Sequence, residues 1–183
     1  MKRLLLILFL VLLAGQAKAQ IGFRGGISQT SDYFSSLFQD GRTGFHLGGF
    51  HQFNFNKWLC YRSELQYNQK GYKIRGRIAE NTIHINYDFL NANFLGELKI
   101  GDNVFFQAGF SCNYQLDINA KYNRAPAIII NQPENSFHVA PVAGLYKRVG
   151  KNFGSSVRFS HSIFSINDNT NHVLLSFSLE YFL

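Results

Sequence analysis

The sequence offers little from which a stapled or helical protein could be built. Cysteine occurs twice, at Cys60 and Cys112, and proline three times in 183 residues. Two thiols are too few for the disulfide framework of a small secreted scaffold. Acidic side chains are scarce, 11 against 18 basic ones. Three of the basic residues, Lys2, Arg3 and Lys18, lie in the N-terminal segment, which leaves 15 against 11 in the rest. That mild excess is a poor basis for nucleic-acid binding, and no nucleic-acid partner is expected. Long apolar runs are missing too. The longest, Leu4 to Leu13, has ten residues, about half of the ~20 that a transmembrane helix requires.

What is present starts with an export signal. Lys2 and Arg3 precede the apolar run, and Ala17-Lys18-Ala19 supplies the small residues that a signal peptidase needs. Residues 1–19 are therefore read as a signal peptide, cleaved before Gln20, and residues 20–183 as one domain. Its 16% aromatic and 16% charged content is that of a folded chain rather than a disordered one.

Beyond residue 20 the apolar residues recur with period two, as in Ile21, Phe23, Gly25 and Ile27, which is the period of a strand. The same alternation returns in Phe45–Phe55, Leu59–Tyr67, Leu90–Leu98, Phe106–Leu116, Val139–Leu145, Phe153–Ile163 and Val173–Leu183, giving eight strands. Their connections alternate in length. Residues 29–43, 73–84, 118–136 and 165–171 are longer and polar, whereas tight turns fall at Asn56-Lys57, Gly101-Asp102-Asn103 and Gly150-Lys151. Short turns at one end, longer loops at the other and an even strand number predict an all-β fold, an eight-stranded antiparallel up-and-down transmembrane β-barrel of the outer membrane.

A soluble lipocalin-type barrel has the same strand count but turns its apolar face inward. Three features favour the membrane reading. The polar face is rich in small residues such as Gly22, Gly26, Gly48, Gly109, Ser111, Gly144 and Ser156, which suit a narrow interior. It carries charges of both signs: Arg24, Arg62, Lys70, Lys99 and Arg158 against Glu64, Glu97, Asp117 and Glu180. An interior network tolerates these and a lipid-facing surface does not. Aromatic residues gather at strand ends, Trp58, Tyr146, Phe153, Tyr181 and Phe182 at the periplasmic level and Tyr67, Tyr72 and Tyr114 at the outer one, as interfacial girdles would.

These residues resemble the porT-like outer-membrane β-barrel domain family, abundant in Bacteroidota, over nearly all of residues 20–183. The resemblance lies in Gly22-Phe23-Arg24-Gly25-Gly26-Ile27, in Gly44-Phe45-His46-Leu47-Gly48-Gly49-Phe50, and most strongly in Ser63-Glu64-Leu65-Gln66-Tyr67-Asn68-Gln69-Lys70-Gly71. Arg158-Phe159-Ser160-His161-Ser162 matches a further stretch near the C-terminus. Leu90-Asn91-Ala92-Asn93-Phe94 stands where the family usually has a proline-centred aliphatic run. The family implies an outer-membrane barrel without a common enzymatic activity.

No catalytic, cofactor-binding or metal site is expected. His46, His84, His138 and His172 fall near the loop ends of four different strands, without the paired spacing of a metal site. His161 invites comparison with lipid-A-modifying barrels, but Ser160 and Ser162 alternate to the opposite face. Cys60 and Cys112 also fall on opposite faces and are expected to stay free. Lys121-Tyr122-Asn123-Arg124 with Ala127-Ile128-Ile129-Ile130 reads as a strand extension above the membrane or a partner surface. The expected protein is a monomeric, non-catalytic barrel with a packed polar interior. Its partners are outer-membrane lipid, the barrel-insertion machinery, which reads Phe177, Leu179, Tyr181 and Leu183 of the last strand, and an envelope or surface protein. An accessory role in a secretion or gliding apparatus, a lipid-A-modifying enzyme and the soluble binding barrel are the alternatives.

Overall fold

A computed structural model describes residues 18–31, 41–75, 82–122, 136–162, 164–166 and 173–183. The strands are β1 (Lys18–Ser31), β2 (Arg42–Asn54), β3 (Leu59–Arg75), β4 (Thr82–Gly101), β5 (Val104–Tyr122), β6 (Phe137–Val149), β7 (Phe153–His161), β8 (Phe164–Ile166) and β9 (Val173–Phe182). From β1 to β7 each strand pairs antiparallel with the next in sequence, β7 pairs also with β9, and β9 with β1, so the sheet closes on itself. β7 and β8 both lie along β6 and together form one barrel strand. The partner of Ser160 is Val142 and that of Phe164 is Val139, a one-residue slip of the kind a β-bulge introduces. The barrel therefore has eight strands, the seventh broken at Ser162. The expected leader, apart from its last two residues, lies outside the described residues; β1 begins at Lys18.

The outer face is apolar and the inner face polar. Ile27 is 59% exposed, Leu65 57% and Leu179 66%, whereas Arg24, Arg62, Glu97 and Glu180 are buried. That inside-out pattern excludes the lipocalin-type alternative, whose apolar face would line the cavity. A closed sheet satisfies its own backbone polar groups, which hydrocarbon requires.

Local chemistry explains the tight ends. The Asn56 Oδ1 accepts hydrogen bonds from the backbone N–H groups of Trp58 and Leu59, both 2.8 Å, and closes the β2–β3 turn. Asn103 and Gly150 adopt positive φ, 59° and 70°, as the turns after β4 and β6 demand. Glycine on the inner face permits close strand approach: a Cβ at Gly109 would strike the Phe94 carbonyl oxygen.

The outer connections are shorter than the sequence suggests, because β3, β4 and β5 continue into stretches first read as loop. Ile74 pairs with Ile83 and Ile85 with Ala120; the three β-branched isoleucines favour extending the ladder. β3, β4 and β5 have 17, 20 and 19 residues, against 13 in β2 and β6. The strand-extension reading thus applies to Lys121 and Tyr122, while Asn123 to Ile130 lie outside the described residues.

Candidate functional site

Alternation places even-numbered residues of β1, β2, β3, β6, β7 and β9 on the barrel axis, together with odd-numbered residues of β4 and β5. Six charged side chains meet there. Glu64 lies at the centre: its carboxylate accepts hydrogen bonds from Arg24 (2.8 Å), from Arg158 at both oxygens (2.6 and 2.9 Å) and from Asn93 (3.0 Å). Arg62 contacts Glu180 at 2.6 Å and Glu97 at 2.7 Å, the second an ion-pair contact rather than an aligned hydrogen bond, and reaches Glu64 at 3.6 Å. Arg158 Nε donates to Gln107 Oε1 at 2.6 Å, and Gln107 in turn donates to Glu97 at 2.6 Å. Ser156 donates to Glu180 at 3.0 Å, and Arg24 donates to Ser178. Three guanidinium groups thus face three carboxylates, and the cluster carries no net charge. Neutrality with dense hydrogen bonding is what makes buried ions tolerable.

Below this layer, toward the short turns, Phe50, Tyr146 and Phe182 form an aromatic floor, with Phe105 packed against it. The Arg62 guanidinium lies 4.4 Å from the Phe50 ring centroid and 4.8 Å from that of Tyr146, within cation–π range. Phe50 and Phe182 meet edge to face at 5.0 Å. The Arg148 guanidinium covers Phe182 from the rim at 4.4 Å. The lumen is therefore closed by an ionic layer over an aromatic one.

Four positions named from the sequence stand elsewhere than expected. Tyr146 and Phe182 were assigned to the periplasmic girdle, but both are buried inside the barrel. Each alternates with lipid-facing neighbours, Leu145 and Tyr181, so backbone parity overrides the tendency of aromatics to collect at interfaces. Asp117 is exposed instead of interior. The β4–β5 register shifts between Asp88 and Phe89, whose partners are Asp117 and Gln115; the extra residue, Leu116, reverses the faces above it. Lys99 stands at the periplasmic end, partly exposed, and among the described residues no carboxylate lies within ion-pair distance of it.

Lys70 is interior but separate from the cluster. It donates to Asn113 Oδ1 at 3.0 Å and lies 4.5 Å from the Phe89 centroid. Trp58, Phe153 and Tyr181 are exposed near the short turns, and Tyr67 and Tyr114 stand opposite Leu90 at the other level. The Tyr72 side chain lies outside the described residues. Sequence reasoning placed Ser156 on the inner face for its size alone and missed Gln52, Asn93, Gln107 and Ser178, although parity puts every one of them on the inner face.

The remaining candidates gain no chemistry. His46 is buried 2.7 Å from Ser178 Oγ, and His138 lies 3.0 Å from Ser136 Oγ. The side chains of His84 and His172 are outside the described residues, and no metal-binding group of three occurs among the described ones. His161 is opposite Val173, with no hydrogen bond to a serine among the described residues. Cys60 is buried, Cys112 is partly exposed, and both are free. A small polar void above Glu64 is bordered by His46, Gln66 and Asn91, whose Nδ1, Oε1 and Oδ1 have no hydrogen-bond partner among the described residues; water suits it better than a solute. In planar bilayers the purified protein is expected to show no porin-sized conductance steps. Regular steps would mean that the ionic layer opens.

An apolar belt around a closed, charged, filled interior defines an integral membrane β-barrel. The chain belongs to the outer membrane protein β-barrel domain family, which matches residues 14–168, and it resides in the outer membrane. Among solved structures it is similar to Ail, the attachment invasion locus protein of Yersinia pestis, with TM-score 0.56 and 13% identity over 91% of this chain and 99% of that one. It is also similar to the Neisserial surface protein A, with TM-score 0.54 and 11% identity over 89% and 96%. At such identities the likeness is one of fold. Among curated proteins none matches the chain by sequence.

Proposed function

We propose that the protein is a non-catalytic outer-membrane barrel that acts through its outer face and outer connections, on a scaffold that conducts nothing. The observation that carries this reading is the filled lumen, where the Arg24, Arg62, Arg158, Glu64, Glu97 and Glu180 side chains satisfy one another over an aromatic floor. Such an interior supplies rigidity rather than passage. Ail, solved with the heparin analogue sucrose octasulfate, carries an attachment role on the same fold, and a surface contact is proposed for this chain on that analogy. The finer kinship with porT-like barrels rests on the Glu64 to Gly71 stretch, whose Glu64 and Lys70 are interior and whose Leu65 is on the lipid side. The protein is taken to work as a monomer, inserted by the barrel-assembly machinery, with an envelope or surface protein as partner.

The test compares cells carrying the whole chain with cells in which residues 123–135 are replaced by a short Gly-Ser linker. Crosslinking in intact envelopes should capture a protein partner with the first and lose it with the second, while both barrels keep their heat-modifiable gel mobility. Equal capture by both would overturn the reading. The enzymatic alternative demands that His161→Ala change the lipid A mass profile; the reading proposed here expects the profile unchanged, and one that shifts would make this barrel an enzyme.

A further inference from the structure

Net charge is unevenly placed on this barrel. Residues 20–183 carry 15 basic side chains against 11 acidic ones, an excess of four. The periplasmic end alone accounts for it: Lys57, Lys99, Lys147, Arg148 and Lys151 stand there against a single acid, Asp102. The rest of the chain is balanced, ten against ten. Arg148 is already engaged. Its guanidinium covers Phe182, donates to Gln20 Oε1 at 3.1 Å and to the Lys151 carbonyl at 2.8 Å, while its backbone N–H donates to the Asn103 carbonyl at 2.8 Å. It thereby fixes the β6–β7 turn and ties it to the β4–β5 turn. The four lysines and Asp102 make no ion pair among the described residues.

Lys147 differs from the other lysines in the face it occupies. On β6 it stands between the exposed Leu145 and Val149, and alternation puts it with them on the lipid side. Its partner on β7 is Ser155, which stands between the exposed Phe153 and Val157 on the same side. A lysine and a serine therefore sit opposite one another within an apolar frame, and neither side chain has a hydrogen-bond partner among the described residues. Lys147 is two residues above Val149 and Phe153, the last pair of the hairpin. At about 3.3 Å per residue and a tilt near 40° that is roughly 5 Å along the membrane normal. A lysine stem is long enough to carry its ammonium back down to the interface, the level at which Lys151 is exposed in the turn.

We propose that Lys147 and Lys151, with the Ser155 hydroxyl, dock the anionic headgroup of a glycerophospholipid in the periplasmic leaflet of the outer membrane. Face and depth select this source. A cell-wall polyanion approaches the turns from water and meets Lys57 or Lys151 there, whereas a lysine flanked by Leu145 and Val149 opens onto lipid. A headgroup of net negative charge brings its phosphate to both ammonium groups while its acyl chains cover the apolar frame. A zwitterionic headgroup brings a cation of its own to the same place. The inference rests on the reading of this chain as an outer-membrane barrel and adds a lipid partner at the end opposite the proposed protein partner.

The test titrates the mature protein, refolded in a neutral detergent, with phosphatidylglycerol and with phosphatidylcholine of the same acyl chains, and counts retained lipids by native mass spectrometry. Wild-type protein should retain one phosphatidylglycerol saturably and about tenfold or more tightly than phosphatidylcholine, the scale of two cations acting near anionic lipid. A K147Q/K151Q variant should lose the preference, and K147R/K151R should keep it. K57Q/K99Q removes as much charge from the same end, at a turn and on the inner side of β4, and should also keep it. Equal retention of the two lipids by wild-type protein would overturn the proposal, as would an undiminished preference in K147Q/K151Q. An equal loss in K57Q/K99Q would overturn it too, by making the attraction a diffuse property of the rim. Displacement of phosphatidylglycerol by soluble peptidoglycan fragments would give the basic end to the cell wall instead. If K147Q/K151Q does not reach the heat-modifiable form, the two lipids on wild-type protein and on K57Q/K99Q decide. Protein capture by residues 123–135 is a separate readout, so failure here leaves that reading standing.

Discussion

Glu64→Gln is expected to destabilise the folded barrel by about 3–5 kcal/mol, the usual result of removing one partner from a buried ionic group. The reason is arithmetic as well as geometry. Arg24 and Arg158 both donate to this carboxylate, and Arg62 lies 3.6 Å from it. Without its charge three guanidinium groups share two carboxylates, and the glutamine amide presents a donor to at least one arginine. Reversible urea unfolding in detergent or bilayer vesicles measures the loss. The companion variant Glu64→Gln/Arg158→Gln restores neutrality and should recover part of it, so that the two changes together cost less than their sum. A loss below about 1 kcal/mol for Glu64→Gln would mean that water, not protein, solvates these ions.

Phe110→Arg should cost about 2–4 kcal/mol, the penalty for a cation at the mid-depth of a barrel's lipid face. Phe110 is 48% exposed and lies on β5 midway between the exposed Phe106 and Tyr114. Its ring contacts Phe94 at 5.3 Å on the neighbouring strand. The same substitution at Leu183, at the periplasmic terminus, should cost about 1 kcal/mol or less, because depth sets the penalty. Equal effects at the two positions would contradict the placement of the membrane belt. The first variant probes the interior and this one the exterior, and neither result can be produced by the other's mechanism.

Much of this is legible in the sequence. The period-two pattern in Ile21–Ile27 or Phe177–Leu183 names the lipid face directly, because hydrocarbon admits only apolar side chains there. Arg24, Arg62, Glu64, Glu97, Arg158 and Glu180 were readable as interior for the same reason in reverse. Parity would also have placed Tyr146 and Phe182 inside, had the pull of aromatics toward interfaces not been given more weight. Asp117 could not be read correctly, since the bulge at Leu116 is a property of how β5 lies on β4. The extension of β3, β4 and β5 was hidden in segments polar enough to resemble loops.

The sequence by itself determined the strand count, the closed antiparallel topology and which residues face lipid, because alternation is a local consequence of the extended backbone. Only the tertiary structure decided which ion meets which. Arg24 and Glu64 are 40 residues apart, Arg62 and Glu180 are 118 apart, and their contact depends on the relative stagger of strands around the barrel. Stagger is set by the summed pairing of all the strands and by their bulges, and no local pattern in a single strand encodes it.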